Sequence, residues 1–154
     1  GTLVAYLRDA GTLPKRLQVS RSYDRGKTWT APVDTDIPNP GAGIEVLTLK
    51  NGNWLLIYND LEERRYRLAV ALSDDEGKSW KWKRYLEKDE SDERLNLGSY
   101  HYPSILEARD GTFHASYSYS LPRSQVEFDA AGKPMVKSIK HVHFNEAWIK
   151  EEER

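Results

Sequence analysis

Ser22-Tyr23-Asp24-Arg25-Gly26-Lys27-Thr28-Trp29 and, 51 positions later, Ser73-Asp74-Asp75-Glu76-Gly77-Lys78-Ser79-Trp80 are one octapeptide written twice: Ser, any residue, Asp, any residue, Gly, any residue, Thr or Ser, Trp. Every fixed position suits a turn. The aspartate can accept backbone N–H groups, the glycine can take a positive φ, and the tryptophan can plug between strands. The motif therefore predicts a hairpin clasp and no chemistry. Too few acidic residues recur at regular spacing for a calcium loop.

The same offset extends to both sides of the octapeptide. Residues 1–8 fall on 52–59, and 16–19 on 67–70. A third copy opens at Gly111-Thr112-Phe113-His114-Ala115-Ser116-Tyr117, and its second strand, residues 139–144, is displaced by an insertion containing Gly132 and Pro134. In that copy Phe113, Ala115, Tyr117 and Tyr119 alternate with His114, Ser116 and Ser118, the period of a strand with one buried face. Asn51-Gly52 and Asp110-Gly111 are hairpin signals. No long amphipathic helix is expected, and residues 87–94 read as a loop. Residues 143–148 fall where a third octapeptide is due and keep only Trp148, which suggests a degenerate clasp turned toward a ligand. Repeats of this length built from short antiparallel strands predict an all-β propeller, with blades near 1–50, 51–110 and 111–150 of a single domain, 1–154.

Composition narrows the function. The 154 residues are 38% apolar and 31% charged, which suits a folded soluble domain. The 23 basic and 24 acidic residues leave a formal charge of −1, giving no basic field for nucleic acid. The absence of cysteine removes disulfides, thiolate catalysis and cysteine-based zinc sites. The longest apolar stretch, residues 54–58, is far too short for a membrane span. No signal peptide precedes the strand-like run Gly1-Thr2-Leu3-Val4-Ala5-Tyr6-Leu7, so the chain is expected to start inside a larger protein. An arc of blades would expose two open edges, favouring self-association. His141 and His143 share a strand face, but two ligands make no metal site and no carboxylate spacing completes one with His101 or His114. Neither metal nor cofactor is expected.

The two octapeptides resemble the Asp-boxes of the sialidase (neuraminidase) superfamily, also called BNR repeats. Asn39-Pro40-Gly41-Ala42-Gly43-Ile44-Glu45, the strand ending at Tyr58-Asn59, residues 65–73 and Tyr102-Pro103-Ser104-Ile105 extend the resemblance to BNR-type neuraminidases over nearly the whole chain. It implies a six-bladed sialidase-type β-propeller, of which this chain supplies about three blades. It also implies a retaining exo-sialidase acting on a terminal anionic sugar of a glycan, secreted or periplasmic, with a tyrosine nucleophile. The sugar carries its own carboxylate, so a neutral phenol paired with a glutamate base can approach where a carboxylate nucleophile would be repelled. Arginines bind that carboxylate because a planar guanidinium can do so bidentately.

Carried over residue by residue, the resemblance makes Glu45 the base and Tyr102 the nucleophile, with Tyr100 the nearby competitor. Arg65 becomes one triad arginine, and Asn39 and Arg8 further sugar contacts. Arg67 repeats Arg16 and reads as structural, whereas Arg65 falls on Pro14 and is specific to its blade. Each has a plainer reading: a solvated glutamate, a packing tyrosine, surface charge. The family's acid/base aspartate and first arginine come from a first blade. A further arginine comes from a segment that the 37 positions between Arg65 and Tyr102 do not supply. Either the constellation differs in this branch or the sugar is not sialic acid. The rival class is a non-catalytic carbohydrate- or protein-binding propeller. It could use Trp54, Tyr117 and Tyr119 as stacking surfaces, although alternation assigns these to the core.

Overall fold

Leu55-Leu56-Ile57-Tyr58 and Leu68-Ala69-Val70-Ala71-Leu72 are unbroken apolar runs, whereas residues 113–119 alternate. The computed structural model, which describes residues 1–90 and 97–151, shows the cause. Strands β4 (Glu45–Thr48), β5 (Trp54–Asn59), β6 (Arg67–Ser73) and β7 (Trp82–Lys88) form a four-stranded antiparallel sheet in that order. On one side lies the sheet of β1 (Leu3–Leu7), β2 (Arg16–Ser22) and β3 (Val33–Pro38). On the other lies the sheet of β8 (Ser99–Glu107), β9 (Phe113–Ser120) and β12 (Lys137–Phe144). A small hairpin, β10 (Glu127–Phe128) and β11 (Pro134–Met135), fills the insertion before β12.

The middle sheet packs on both faces at its two central strands, β5 and β6, so these carry unbroken apolar runs, whereas its outer strands β4 and β7 are mixed. Leu56, Tyr58, Ala69 and Ala71 pack with Leu17 and Ile37 of the first sheet. Leu55, Ile57, Leu68, Val70 and Leu72 pack with Tyr100, Ile105, Phe113, Ala115 and Tyr117 of the third. The third sheet buries one face only, hence its alternation. Tyr117 belongs to this core, and Tyr119 stacks on Tyr100 at 5.4 Å, so both serve packing.

The octapeptides are the predicted clasps. Asp75 Oδ1 accepts from Ser79 N and Ser73 Oγ, both at 2.8 Å, and Ser73 Oγ accepts from Gly77 N at 2.9 Å. Asp24 repeats the pattern with Thr28 N at 2.9 Å and Ser22 Oγ at 2.8 Å. Gly26 and Gly77 have φ of 87° and 76°, each after a second left-handed residue, Arg25 and Glu76. Trp80 plugs between the first two sheets, edge-on to Tyr6 at 6.1 Å, while Trp29 stays partly exposed.

The clasp hydrogen bonds make stability acid-sensitive. Donation from the Thr28 hydroxyl and amide and from Ser22 holds the Asp24 carboxyl down at about 2. Ser79 and Ser73 hold Asp75 lower still. A carboxyl depressed in the folded state stabilises fully above its unfolded pKa and loses that contribution as pH falls toward the folded value. The melting temperature is therefore expected to decline between about pH 4 and about pH 2. The decline should be shallower in the double variant Asp24→Asn, Asp75→Asn. Parallel declines in the two proteins would disprove this assignment.

Two expectations are corrected. Residues 143–148 form no clasp: His141, His143 and Asn145 stand where Ser, Asp and Gly would be. Asn145 instead caps a helix, α1 (Glu146–Lys150), its Oδ1 accepting from Trp148 N at 2.9 Å. Trp148 packs on Phe144 and against the core, and its remaining surface lines a pocket with Leu86, Val142 and His143. Residues 87 and 88 belong to β7, and Glu87 accepts from the Tyr117 hydroxyl and from Lys140. The remainder of the expected loop lies partly outside the described residues.

Sequence period and sheets are out of phase. β5 repeats β1, β6 repeats β2 and β7 repeats β3, but β4, at 45–48, pairs with β5. Among the described residues β1 therefore has no neighbour on the side where β5 has β4. A groove of about 490 Å³ runs there, lined by Thr2, Val4, Tyr6, Glu45, Val46 and Trp54. Among the described residues no helix is long and apolar enough to cross a membrane.

Candidate functional site

Antiparallel order sends loops 8–15, 39–44 and 60–66 to one end of the arc and the two clasps to the other. Contacts between loops confirm the alignment. Arg16, closing the first loop, pairs with Glu62 in the third. Gly41, with φ of 76°, lies so close to Asp9 that a Cβ would stand 3.1 Å from its carbonyl oxygen. The sequence-derived candidates fall at this end.

Tyr102 is placed by a fault in β8. Register with β9 slips between His101 and Ser104, leaving Tyr102 and Pro103 as a bulge, where the proline costs no ladder hydrogen bond. Tyr102 adopts a φ of 48° and is 67% exposed. A left-handed tyrosine is strained, and bulges commonly re-aim side chains beside functional sites. Its ring lies against Gly43, where a Cβ would stand 3.3 Å from Tyr102 Cδ1. Tyr100 is 1% exposed and donates to both oxygens of Asp89 at 2.9 Å. Burial and that carboxylate push its hydroxyl pKa far up, so Tyr100 is a structural residue and not a competitor for the nucleophile's place.

Arg65 is joined to the same strand twice. Its carbonyl accepts from Tyr100 N at 2.9 Å, and its Nη1 lies 2.5 Å from His101 Nδ1. Its guanidinium carbon stands 6.0 Å from the centre of the Tyr102 ring. His101 Nε2 lies 2.6 Å from Ser99 Oγ. Burial lowers the His101 pKa, and the charges of Arg65 and Lys137 lower it further, favouring the neutral ring. In the sequence His101 stands out only as a metal-ligand candidate. The available signal is alternation in Ser99-Tyr100-His101, which puts Ser99 and His101 on one face once Tyr100 is assigned to the core.

Glu45 opens β4 beside β8. Its Oε2 accepts from Ile105 N at 2.8 Å, and no hydrogen bond links it to Tyr102 among the described residues. Asn39 is fully buried and turned into its own loop, its Oδ1 accepting from Ala42 N at 2.9 Å and its backbone N–H donating to Lys15 O. It shapes the loop before Glu45 and offers no surface to a sugar. Arg8 is exposed just past β1, at the same end, without a hydrogen-bond partner among the described residues. The structure thus brings Arg65, His101 and Tyr102 together, sets Glu45 nearby with one carboxylate oxygen engaged, and leaves Arg8 apart from that cluster.

His114 stacks between His141 and His143, with ring centres 5.2 and 4.4 Å away. No group of three metal-ligating side chains converges on one point among the described residues.

The profile of the family described as BNR repeat-like domain matches residues 1–115. No curated protein sequence matches the chain. Among solved structures, the intramolecular trans-sialidase from Ruminococcus gnavus, in complex with oseltamivir carboxylate, superposes with a TM-score of 0.71 at 21% identity. That match covers 99% of this chain and 32% of that one. The leech intramolecular trans-sialidase, complexed with 2,7-anhydro-Neu5Ac, gives 0.70 at 17% identity over 97% and 22% of the two chains. The Penicillium chrysogenum α-L-arabinanase, complexed with arabinobiose, gives 0.60 at 20% over 94% and 43%. The fold is that of a sialidase-type β-propeller arc, and the chain spans less than half of each of these structures.

Proposed function

Because the chain belongs to the BNR repeat-like domain family, we propose that this arc carries part of the active site of a glycoside hydrolase of exo-sialidase type. Its substrate is a terminal anionic sugar of a glycan. One observation carries the reading: a strained, exposed Tyr102 at a strand bulge stands beside the Arg65 guanidinium and the loop leading to Glu45. Arg65 binds the sugar carboxylate. Tyr102 Oη attacks the anomeric carbon as the glycosidic bond breaks, and Glu45, through its free Oε1, takes the phenolic proton. Water then attacks the anomeric carbon, losing a proton to solvent, as the glycosyl-tyrosine bond breaks and Glu45 returns its proton to the departing phenolate, so the sugar leaves with retained configuration. An aryl glycoside, whose leaving group departs as a phenolate, needs no protonating acid and is the simplest probe.

The complete protein is expected to release N-acetylneuraminate or a hexuronate from aryl glycosides and from capped glycans. The engagement of Glu45 with Ile105 N favours a second reading, a propeller that binds such a glycan without cleaving it, for which no base is needed. Retained glycan binding with no release from any acidic glycoside would reject the hydrolase and leave the binder.

A further inference from the structure

We propose that His101 is a positioning residue for Arg65: a neutral imidazole carrying its proton on Nε2, it accepts a guanidinium N–H at Nδ1. This aims the remaining N–H groups of Arg65 at the carboxylate of an acidic sugar beside Tyr102. The inference rests on reading this end of the arc as an acidic-sugar site.

Arginine is only a donor, so the His101 nitrogen facing it must be the acceptor. The ring proton is then on Nε2, where Ser99 Oγ receives it at 2.6 Å. Ser99, His101 and Arg65 form a directed chain in which β8 dictates where the guanidinium sits. The Arg65 backbone is fixed as well, through its carbonyl and Tyr100 N. A long, flexible side chain held at both ends is preorganised for its ligand.

The charged groups bearing on His101 are Arg65, from the 60–66 loop, and Lys137, from β12. β9 opposes it with the uncharged Ser118. Both charges disfavour the imidazolium, so acidification below neutrality is needed to protonate the ring. Two consequences of protonation have opposite signs. Added positive charge by itself tightens carboxylate binding. Loss of the Nδ1 lone pair instead turns the acceptor into a donor facing a donor, displacing Arg65 and weakening binding.

Nitrogen-detected NMR on the complete protein separates the two, with N-acetylneuraminate and D-glucuronate as probes and D-galactose as a neutral control. Without ligand, His101 should show the Nε2–H tautomer, and the Arg65 Nε–Hε resonance should follow the His101 titration. His101→Asn places an acceptor oxygen near the position of Nδ1 and cannot titrate. It should keep the Arg65 resonance and the acidic-probe affinity, flat from about pH 5 to about pH 8. His101→Ala should move the resonance and weaken both acidic probes about tenfold. Wild-type affinity should fall on acidification. An affinity that rises as pH falls, or an Arg65 resonance indifferent to His101→Ala, overturns the proposal. Should the alanine variant misfold, the asparagine variant and the wild-type pH series decide alone. If neither acidic probe binds while Arg65 still follows His101, the acidic-sugar reading fails and the positioning of Arg65 stands.

Discussion

Tyr102→Phe in the complete protein is expected to cut glycoside turnover by more than about 10³-fold, while ligand affinity changes by no more than one hydrogen bond, at most about 1.5 kcal/mol. The substitution removes only the hydroxyl. Tyr102 is 67% exposed, and its left-handed backbone is held by the bulge and by Gly43 rather than by that oxygen, so folding should be untouched. Hydrolysis and glycan binding measured side by side distinguish the candidates. A hydrolase loses turnover and keeps affinity, and a binding propeller shows no turnover in either form. Turnover equal to that of the unsubstituted protein would remove Tyr102 as nucleophile.

The octapeptides make the propeller legible because each carries its hydrogen-bonding within eight residues, so local chemistry alone determines the turn. The offset of 51 then matches β1 to β5 and β2 to β6. The repeat does not show the phase of the sheets. Whether residues 45–48 close one sheet or open the next depends on pairing with β5, a contact made across a turn and not encoded in the repeat itself.

The site is legible residue by residue only where a motif fixes the position. Tyr102 and Arg65 come from the resemblance, and their juxtaposition needs the meeting of the 60–66 loop with β8. Asn39 belongs to the loop where the resemblance puts it, yet nothing in its neighbours signals that its side chain turns inward to Ala42 N. His101 has no motif of its own, since an imidazole's partner depends on which loop folds over it. The helix at 146–150 escapes the repeat because Trp148 matches the octapeptide while the residues before it carry a cap.

In the sequence Asn59 figures only as the last residue of the strand ending at Tyr58-Asn59, with no role of its own, and its loss is expected to cost more stability than that of any other single polar residue at this end. It is fully buried, and the two N–H bonds of its Nδ2, one of them shared, reach three backbone carbonyls: Arg67 O at 3.1 Å, Tyr100 O at 3.2 Å and Arg65 O at 3.4 Å. One amide thus ties β5, β6, the Arg65 loop and β8 together. Asn59→Leu, similar in size, leaves those carbonyls facing a methyl group. The Arg65 carbonyl keeps Tyr100 N, so two acceptors are stripped of their donor, for a loss of about 2–4 kcal/mol. Urea unfolding should show a lower midpoint with an unchanged slope. The same change removes one of the two donors that hold the Arg65 carbonyl, so binding of acidic sugars should weaken together with stability. Asn59→Asp supplies the control. A carboxylate aimed at three carbonyl oxygens is repelled, whereas its protonated form can donate to one of them, so the folded state raises its pKa. A raised folded-state pKa stabilises below the unfolded value and loses that contribution as pH rises, which makes this variant gain stability relative to wild type on acidification. An Asn59→Leu protein that unfolds within about 1 kcal/mol of wild type would show that the three carbonyls find other donors, and that Asn59 is not what joins the Arg65 loop to β8.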